Sequence, residues 1–279
     1  MGLKPRLLKI YKNAGETPLE AIGRIRDKFP DFSAEKMTYA GRLDPLAEGV
    51  LLILVGEECK NKAEYLGLDK EYEVEFLLEF KTDTGDVMGM IKSSPLGKTE
   101  SHKFLLKFCL LSAPSRLLDT QFHLKARSPQ ASRVSEKDKA DADFQRIVTH
   151  LVGKKTQSYP KYSSPRLCGK EGKKEVEIKE AEFLGLDEIN SVDLLQNIIG
   201  KIGKVRGDFR QEKIIEEWEK KLAEEQKFCL VKCRIVCTSG TYIRVLAEEF
   251  GEKLNTSACV YSLKRTRVGE TVMGDCMKF

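Results

Sequence analysis

The sequence predicts an α+β fold with a mixed or antiparallel central sheet and flanking helices. Strand and helix patterns intermingle along the 279 residues without a regular βαβ alternation. The clearest strand is 70–80, in which apolar residues alternate with glutamates. The clearest helix begins at Thr17, because Thr, Pro and Glu occupy its N-cap, N1 and N3 positions. These observations favour a fold in which strands form one sheet and helices pack against it.

The other elements follow from periodicity and from turn residues. Strands are predicted at 7–11, 50–55 and 175–183 and from Phe228, and helices at 59–66, 142–152, 192–199, 211–224 and 242–254. Leu19, Ile22, Ile25 and Phe29 have the spacing of a buried stripe on the first helix. In the last helix, Thr241 is the predicted N-cap, which places Arg244 at N3. We expect a single domain over 1–279, with surface insertions at about 93–141 and 187–225.

Composition and charge restrict the class of protein. With 41% hydrophobic and 33% charged residues, the chain has the composition of a soluble globular protein. It contains neither an apolar run of 18 residues nor a signal-peptide pattern, so we expect a cytoplasmic location. The net charge is +5, and basic residues cluster at 154–174, 201–210 and 264–267. Such clusters suit phosphate backbones, although a solvated basic face explains them equally well.

Cys229, Cys233 and Cys237 have a spacing that first suggests a metal site. Their surroundings predict a strand, in which residues four apart are separated by about 13 Å. Because Zn–S bonds are about 2.3 Å long, thiols so far apart cannot share one ion. We therefore expect core cysteines and no metal.

The most informative stretch is 38–49, which is followed by the apolar run 50–55. Asp44 precedes Pro45, which favours an extended backbone, and Gly41 and Gly49 flank the turn. A carboxylate on such a turn is positioned as a nucleophile or general base requires. An Asp also stabilises a turn for local reasons. The residues alone leave both interpretations open.

Two other side chains are ambiguous when taken singly. Tyr72 lies on the apolar face of strand 70–80, where a core aromatic is the simple interpretation. Arg244 in the first turn of a helix opposes the helix dipole, which indicates an anionic partner or a side chain that reaches solvent. If Asp44 is that partner, the pair keeps the carboxylate ionised and oriented.

Four segments carry a family resemblance. The segment 40–50, Ala-Gly-Arg-Leu-Asp-Pro-Leu-Ala-Glu-Gly-Val, resembles the Gly-x-Leu-Asp-Pro-x-Ala-x-Gly motif of the TruB family of tRNA pseudouridine synthases. The segments 69–74, 239–246 and, more weakly, 157–163 are similar to further motifs of that family, in the same order. The resemblance implies the pseudouridine synthase fold. It also implies isomerisation of uridine to pseudouridine at position 55 of the tRNA T-arm, without metal or organic cofactor.

The resemblance also implies roles for individual residues. Asp44 would be the nucleophile that breaks the glycosidic bond, and Arg244 would pair with it. Tyr72 would pack against the flipped uracil and is a candidate for the later proton removal. Aromatic or basic residues near the motifs are expected to contact RNA: Tyr39, Arg42, Lys70, Tyr162, Lys264 and Arg265.

The chain also departs from the family pattern. Tyr39 stands where the family commonly has His, and Asn13 where it has Pro. The RNA-clamping segment near 165–175 is short, and no C-terminal RNA-binding (PUA) domain is expected after 264–267. We expect a monomer that binds the tRNA T-arm stem-loop and no membrane. The alternatives are a non-catalytic RNA-binding paralogue or tRNA folding chaperone, and a hydrolytic N-glycosidase. Glycosidases usually use two carboxylates, and Glu48 is the one other candidate in the sequence.

Overall fold

The computed structural model describes residues 6–92, 136–163 and 172–279. The strands are β1 Leu7–Lys12, β2 Met37–Ala40, β3 Glu48–Val55, β4 Lys70–Leu78, β5 Lys81–Thr82, β6 Ile91–Lys92, β7 Gly153–Ser158, β8 Lys173–Asn190, β9 Lys227–Cys237, β10 Ala258–Val268 and β11 Thr271–Val272. The α-helices are α1 Pro18–Lys28, α2 Lys62–Gly67, α3 Glu136–Thr149, α4 Ser191–Gly203, α5 Gln211–Lys221 and α6 Ile243–Lys253. Short 3₁₀ helices cover Pro30–Phe32, Gly56–Asn61 and Met273–Asp275.

Nine of the strands in the described residues form one mixed sheet. Its main order is β1-β3-β10-β4-β9-β8-β7, with β2 on β3 and β11 on β10. The β3–β10 pairing is parallel, with Glu48 opposite Lys264 and Gly49 opposite Arg265. The other pairings in this sheet are antiparallel. The predicted mixed sheet with flanking helices is therefore confirmed.

Local sequence explains most element boundaries. Thr17 and Glu20 form the predicted capping box of α1, with Pro18 in the first turn. The predicted stripe is only partly correct: Ile22 and Ile25 are buried, but Leu19 is 69% exposed, because α1 covers the sheet with Pro18 and Ala21 instead.

The first turn of α6 corrects another prediction. The N-cap is Tyr242 rather than Thr241, so Arg244 occupies N2 and not N3. The Thr241 hydroxyl instead donates to the carbonyl of Thr238, 2.8 Å away, and stabilises the turn before the helix.

Hydrophobic residues of the sheet pack against helices on both faces. On one face, Phe76 of β4 packs in a cluster with Phe144 of α3 and Phe250 of α6. On the other, Leu77 packs in a cluster with Trp218 of α5. Because neighbouring residues of a strand point to opposite faces, β4 contributes to both clusters. The predicted core cysteines are buried on β9, where Cys229, Cys233 and Cys237 share the first cluster.

The second predicted insertion forms a pair of helices between β8 and β9. Helices α4 and α5 match the helices predicted at 192–199 and 211–224 and extend the first of them to Gly203. Of the first predicted insertion, 93–135 lies outside the described residues, as does 164–171 of the short clamp segment. The assignment of 1–279 to one domain stays a prediction. No helix in the described parts of the chain combines the length and apolar character that a membrane span needs.

Candidate active site

The turn between β2 and β3 presents Asp44. The backbone N–H of Ala47 donates to the carbonyl of Asp44 over 3.0 Å and closes the turn. Gly49 has φ +112°, and a Cβ there would lie 2.2 Å from the carbonyl oxygen of Arg265. Only glycine permits this close parallel approach of β3 and β10, which places the turn above the end of the sheet.

Arg244 contacts Asp44 from the other half of the chain. Its Nη2 atom lies 3.0 Å from Oδ2 of Asp44, and the Arg244 side chain is 8% exposed while that of Asp44 is 34% exposed. Nη1 donates to the carbonyl of Thr84 over 2.9 Å. Although burial lowers the pKa of Arg244, the carboxylates of Asp44 and Asp86 raise it more strongly, so the net shift is upward. The result is a fixed guanidinium beside a partly accessible carboxylate.

Asp86 is a second carboxylate on Arg244, and the sequence reasoning missed it. Its Oδ2 atom lies 3.9 Å from Nε of Arg244, and its side chain is 9% exposed. Oδ1 accepts from the Thr84 hydroxyl at 2.7 Å and from the Met88 N–H at 3.0 Å. Burial raises the pKa of Asp86, while Arg244 and Thr84 act in the opposite direction. Arg244 thus lies between two carboxylates, one accessible and one buried.

Tyr72 lies beneath this pair on β4, on the buried face predicted from the alternation. Its ring is 8% exposed. Burial raises the pKa of the Tyr72 phenol, although the nearby guanidinium of Arg265 lowers it. The hydroxyl is therefore protonated at neutral pH, and the role in proton removal that the resemblance implies would depend on Arg265, which favours the phenolate.

These three side chains share a cavity of about 340 Å³. The cavity is lined by Asp44, Tyr72 and Arg244 together with Gly41, Arg42, Leu43, Leu66, Lys70, Ser163, Lys174, the 238–243 segment, Leu263 and Arg265. A carboxylate, a buried guanidinium and an aromatic ring thus converge on a space of the size that small ligands occupy.

Three of the residues predicted to contact RNA also line the cavity. Arg42 is exposed at its edge. Lys70 is 4% exposed, its ammonium donates to the carbonyls of Leu66 and Leu68, and burial lowers its pKa to about 8. Arg265 is 1% exposed and donates to the carbonyls of Val50, Arg42 and Gly41 over 2.8, 3.4 and 3.1 Å. Lys70 and Arg265 therefore support the cavity from below.

The other three predicted contacts lie away from the cavity lining. Tyr39 is half-buried on β2, with the Lys62 ammonium 5.1 Å from its ring centroid. The Tyr162 hydroxyl donates to Asp83 over 3.2 Å, and Tyr162 directly precedes the cavity residue Ser163. Lys264 lies 3.7 Å from Glu48. Contact of these residues with RNA stays a prediction.

Lys12 is a second supporting residue that the sequence reasoning missed. It is fully buried at the end of β1, and its ammonium donates to the carbonyls of Asn13, Pro45 and Ala47 over 2.9, 3.4 and 2.6 Å. Burial lowers the pKa of Lys12 to about 8. A signal was available, because Lys12 follows Leu8 and Ile10 on the buried face of an alternating strand. Asp86 lies in a loop and has no such signal.

The family model described as "TruB family pseudouridylate synthase (N terminal domain)" matches residues 30–109. A relative from Psychrobacter cryohalolentis, "tRNA pseudouridine synthase B", is 25% identical over 266 residues, which cover 95% of this chain and 56% of the relative. A relative of the same name from Borreliella burgdorferi is 27% identical over 262 residues, which cover 94% of this chain and 69% of the relative.

The chain is thus similar to the TruB family over residues 30–109 and to these relatives over most of its length. It spans between about half and two thirds of the length of these relatives. A solved "Cbf5-Nop10-Gar1 Complex" contains a chain with a similar fold: the TM-score is 0.50 at 17% identity, over 94% of this chain and 48% of that one. The predicted pseudouridine synthase fold is thereby confirmed. The region that the family model matches contains Asp44, Tyr72 and Asp86, and Arg244 joins them from outside it.

Proposed function

We propose that this chain isomerises uridine to pseudouridine in tRNA, at position 55 of the T-arm, with Asp44 as the nucleophile. The observation that carries the proposal is the ion pair of Asp44 and Arg244 beside Tyr72 in one cavity. The names of the relatives support tRNA as the substrate class. The T-arm position follows from the resemblance of the motifs.

The geometry suits nucleophilic attack at a sugar carbon. The Arg244 guanidinium lies 3.0 Å from the Asp44 carboxylate and is held by its bond to the Thr84 carbonyl, so it fixes the direction of that carboxylate. The Asp44 carboxylate bonds to C1′ of the ribose as the glycosidic bond to N1 of uracil breaks. The base then rotates, C5 bonds to C1′, and the bond between Asp44 and C1′ breaks, which restores the carboxylate. The hydrogen on C5 is lost and N1 gains one, so the product is an isomer of the substrate. The reaction consumes no cofactor.

The cavity would accept a base that has left its stack. Flipping a nucleotide out of a folded arm costs a few kcal/mol, which contacts in the pocket must offset. Tyr72 offers an aromatic ring to the uracil from the floor of the cavity. Exposed Arg42 and the neighbouring Lys174 offer positive charge to the adjoining phosphates. We further propose that the chain acts in the cytoplasm as a monomeric single domain.

Asp86 bears on the rival hydrolytic function, since a glycosidase usually needs a second carboxylate. The side chain of Asp86 is buried, and its Oδ1 accepts from Thr84 and Met88. Asp86 is also not among the residues that line the cavity, so it does not face a sugar bound there. Asp86 therefore supports Arg244 and does not favour hydrolysis.

The test uses a uridine-containing T-arm hairpin and analysis of its nucleosides after reaction. The unaltered protein should yield pseudouridine. Asp44→Asn should abolish conversion and keep hairpin binding within about tenfold, since the carboxylate acts in chemistry more than in affinity. Glu48→Gln is the matched control, because Glu48, the first residue of β3, is a half-exposed carboxylate that lies close to Asp44 along the chain but outside the cavity lining. Free uracil would indicate a glycosidase, unchanged RNA a binding protein, and near-normal conversion by Asp44→Asn would exclude it as nucleophile.

A further inference from the structure

Helices α4 and α5 form a hairpin, here called the 191–221 hairpin, that contacts the loop between β5 and β6. The loop is 83–91, called the Asp83 loop. Arg210 places Nη1 2.9 Å from Oδ2 of Asp83 and Nη2 3.4 Å from Oδ1. Buried Trp218 donates its Nε1–H to the carbonyl of Val87 over 3.2 Å. Two pairs of residues, with a third pair described next, thus fix the position of the loop relative to the hairpin.

A third contact joins the far end of the loop to the same helix. The backbone N–H of Ile91 donates to Oε2 of Glu217 over 2.8 Å. The hairpin therefore contacts the loop at its beginning, its middle and its end. A loop that is bonded at three points has few alternative conformations.

The opposite side of the Asp83 loop contacts Arg244. The carbonyl of Thr84 and the carboxylate of Asp86 approach the guanidinium at 2.9 and 3.9 Å. Gly85 lies so near that a Cβ there would be 3.0 Å from Cβ of Arg244. The loop is thus located between the 191–221 hairpin and the guanidinium that pairs with Asp44.

Asp83 is where these contacts meet. Its carboxylate also accepts from the Met90 N–H at 2.9 Å and from the Tyr162 hydroxyl at 3.2 Å. Burial raises the pKa of Asp83. The bonds from Arg210, Met90 and Tyr162 lower this pKa by more than burial raises it, so the net shift is downward. Arg210 itself adopts a left-handed backbone conformation with φ 64°, which is unfavourable for a residue with a side chain. The ion pair with Asp83 offsets that cost.

We propose that Arg210 is a positioning residue of the active site, which orders the Asp83 loop so that Thr84 and Asp86 hold Arg244 against Asp44. The inference rests on the proposed function, because it assigns Arg210 an effect on the isomerisation rate. It also assigns a task to the 191–221 hairpin, which interrupts the β8–β9 connection.

The test compares Arg210→Ala with Lys213→Ala, which removes an exposed positive charge from the same hairpin without touching the loop. Three quantities are measured for each variant. Hydrogen–deuterium exchange of peptides covering 82–92 is followed without RNA. The single-turnover rate and the dissociation constant are then measured with a T-arm hairpin. Arg210→Ala should accelerate exchange in the loop, lower the rate about tenfold and leave the dissociation constant within about threefold. Lys213→Ala should match the unaltered protein in all three.

Arg210→Lys and Asp83→Asn separate this role from general destabilisation. Lysine keeps the charge but not the two-pronged geometry, so it should recover only part of the rate. The double variant Arg210→Ala, Asp83→Asn should be hardly slower than Asp83→Asn alone, since the loss of the Asp83 charge already removes the ion pair that Arg210→Ala removes. Additive losses would overturn the inference.

Two further outcomes would also overturn it. One is that hydrogen–deuterium exchange in 82–92 is the same in Arg210→Ala as in the unaltered protein. The other is a weaker dissociation constant at an unchanged rate, which would make Arg210 an RNA contact. If the unaltered protein forms no pseudouridine, the proposed function fails by itself. The exchange of the loop in Arg210→Ala still decides whether Arg210 orders it.

Discussion

Asp86→Asn should separate the activity of this site from its stability. Asparagine has the shape of aspartate and keeps the oxygen that accepts from Thr84 and Met88. What is lost is the charge that faces Arg244. At the observed 3.9 Å, two unit charges attract by about 4 kcal/mol with an effective dielectric constant of about 20. Desolvation of both groups offsets much of that attraction.

We take about 1.4 to 2.8 kcal/mol as the part that orients Arg244, which corresponds to a rate about tenfold to a hundredfold lower. Stability should change in the other direction. Burial raises the pKa of Asp86, so the folded chain loses stability as pH rises from the unfolded pKa through the folded one. At neutral pH the neutral asparagine avoids that penalty, and the variant should unfold at the same temperature or a higher one.

The assay is a single-turnover measurement on a T-arm hairpin with enzyme in excess, together with thermal unfolding at pH 7. Asp83→Asn is not a suitable control, because Asp83 acts on the same loop. Asp187→Asn is better, since Asp187 is an exposed carboxylate that pairs with Lys232 on the sheet. A rate within twofold of the unaltered protein would refute the reasoning about Asp86.

Three other predictions concern the surroundings of the pair. Gly49→Ala should lower the free energy of unfolding by about 3 kcal/mol or more, because its Cβ would meet the backbone of Arg265. Gly23→Ala is the control: its Cβ would lie in open space on α1, so the free energy of unfolding should rise by about 0.5 to 1 kcal/mol. Urea titration measures both changes. The pKa of Lys12 is about 8 in the folded chain against 10.5 for a free side chain. Between these pH values the unfolded chain binds more protons than the folded chain, so the free energy of unfolding rises with pH. Lys12→Met should remove that part of the pH dependence between about pH 8 and 10, and an unchanged pH dependence would contradict the prediction. Tyr72→Phe should keep hairpin binding within about threefold and lower the single-turnover rate at least about tenfold, since the ring remains and the hydroxyl does not; an equal loss in both would indicate a binding role.

Local pattern was sufficient for much of the fold and for the centre of the site. The alternation in β4 placed Tyr72 on the buried face, and the Gly- and Pro-flanked turn placed Asp44 before a core strand. The position of Arg244 in a first helical turn indicated an anion, and the structure places the carboxylate of Asp44 there. The N-cap prediction was wrong by one residue. The Thr241 hydroxyl bonds to the Thr238 carbonyl in the turn before the helix, and Tyr242 is the N-cap.

The features of the site that the sequence did not predict depend on contacts between distant segments. Asp86 and Arg244 are far apart along the chain, as are Asp83 and Arg210, and neither pair leaves a periodic signal. Arg265 illustrates a related difficulty. A basic cluster at 264–267 indicates a charged surface, yet Arg265 is 1% exposed and donates to the carbonyls of Val50, Arg42 and Gly41. Periodicity reports which way a side chain points but not what it meets there.

The parallel pairing of β3 with β10 has a consequence for the order of assembly. Glu48 and Gly49 can bond to Lys264 and Arg265 only after the chain has been made as far as β10. Pairings between such distant positions close a very long loop and therefore form late in folding. Asp44 and Arg244 lie on the two sides of this pairing. A chain in which β10 is not yet paired with β3 would thus lack the framework that brings Asp44 to Arg244.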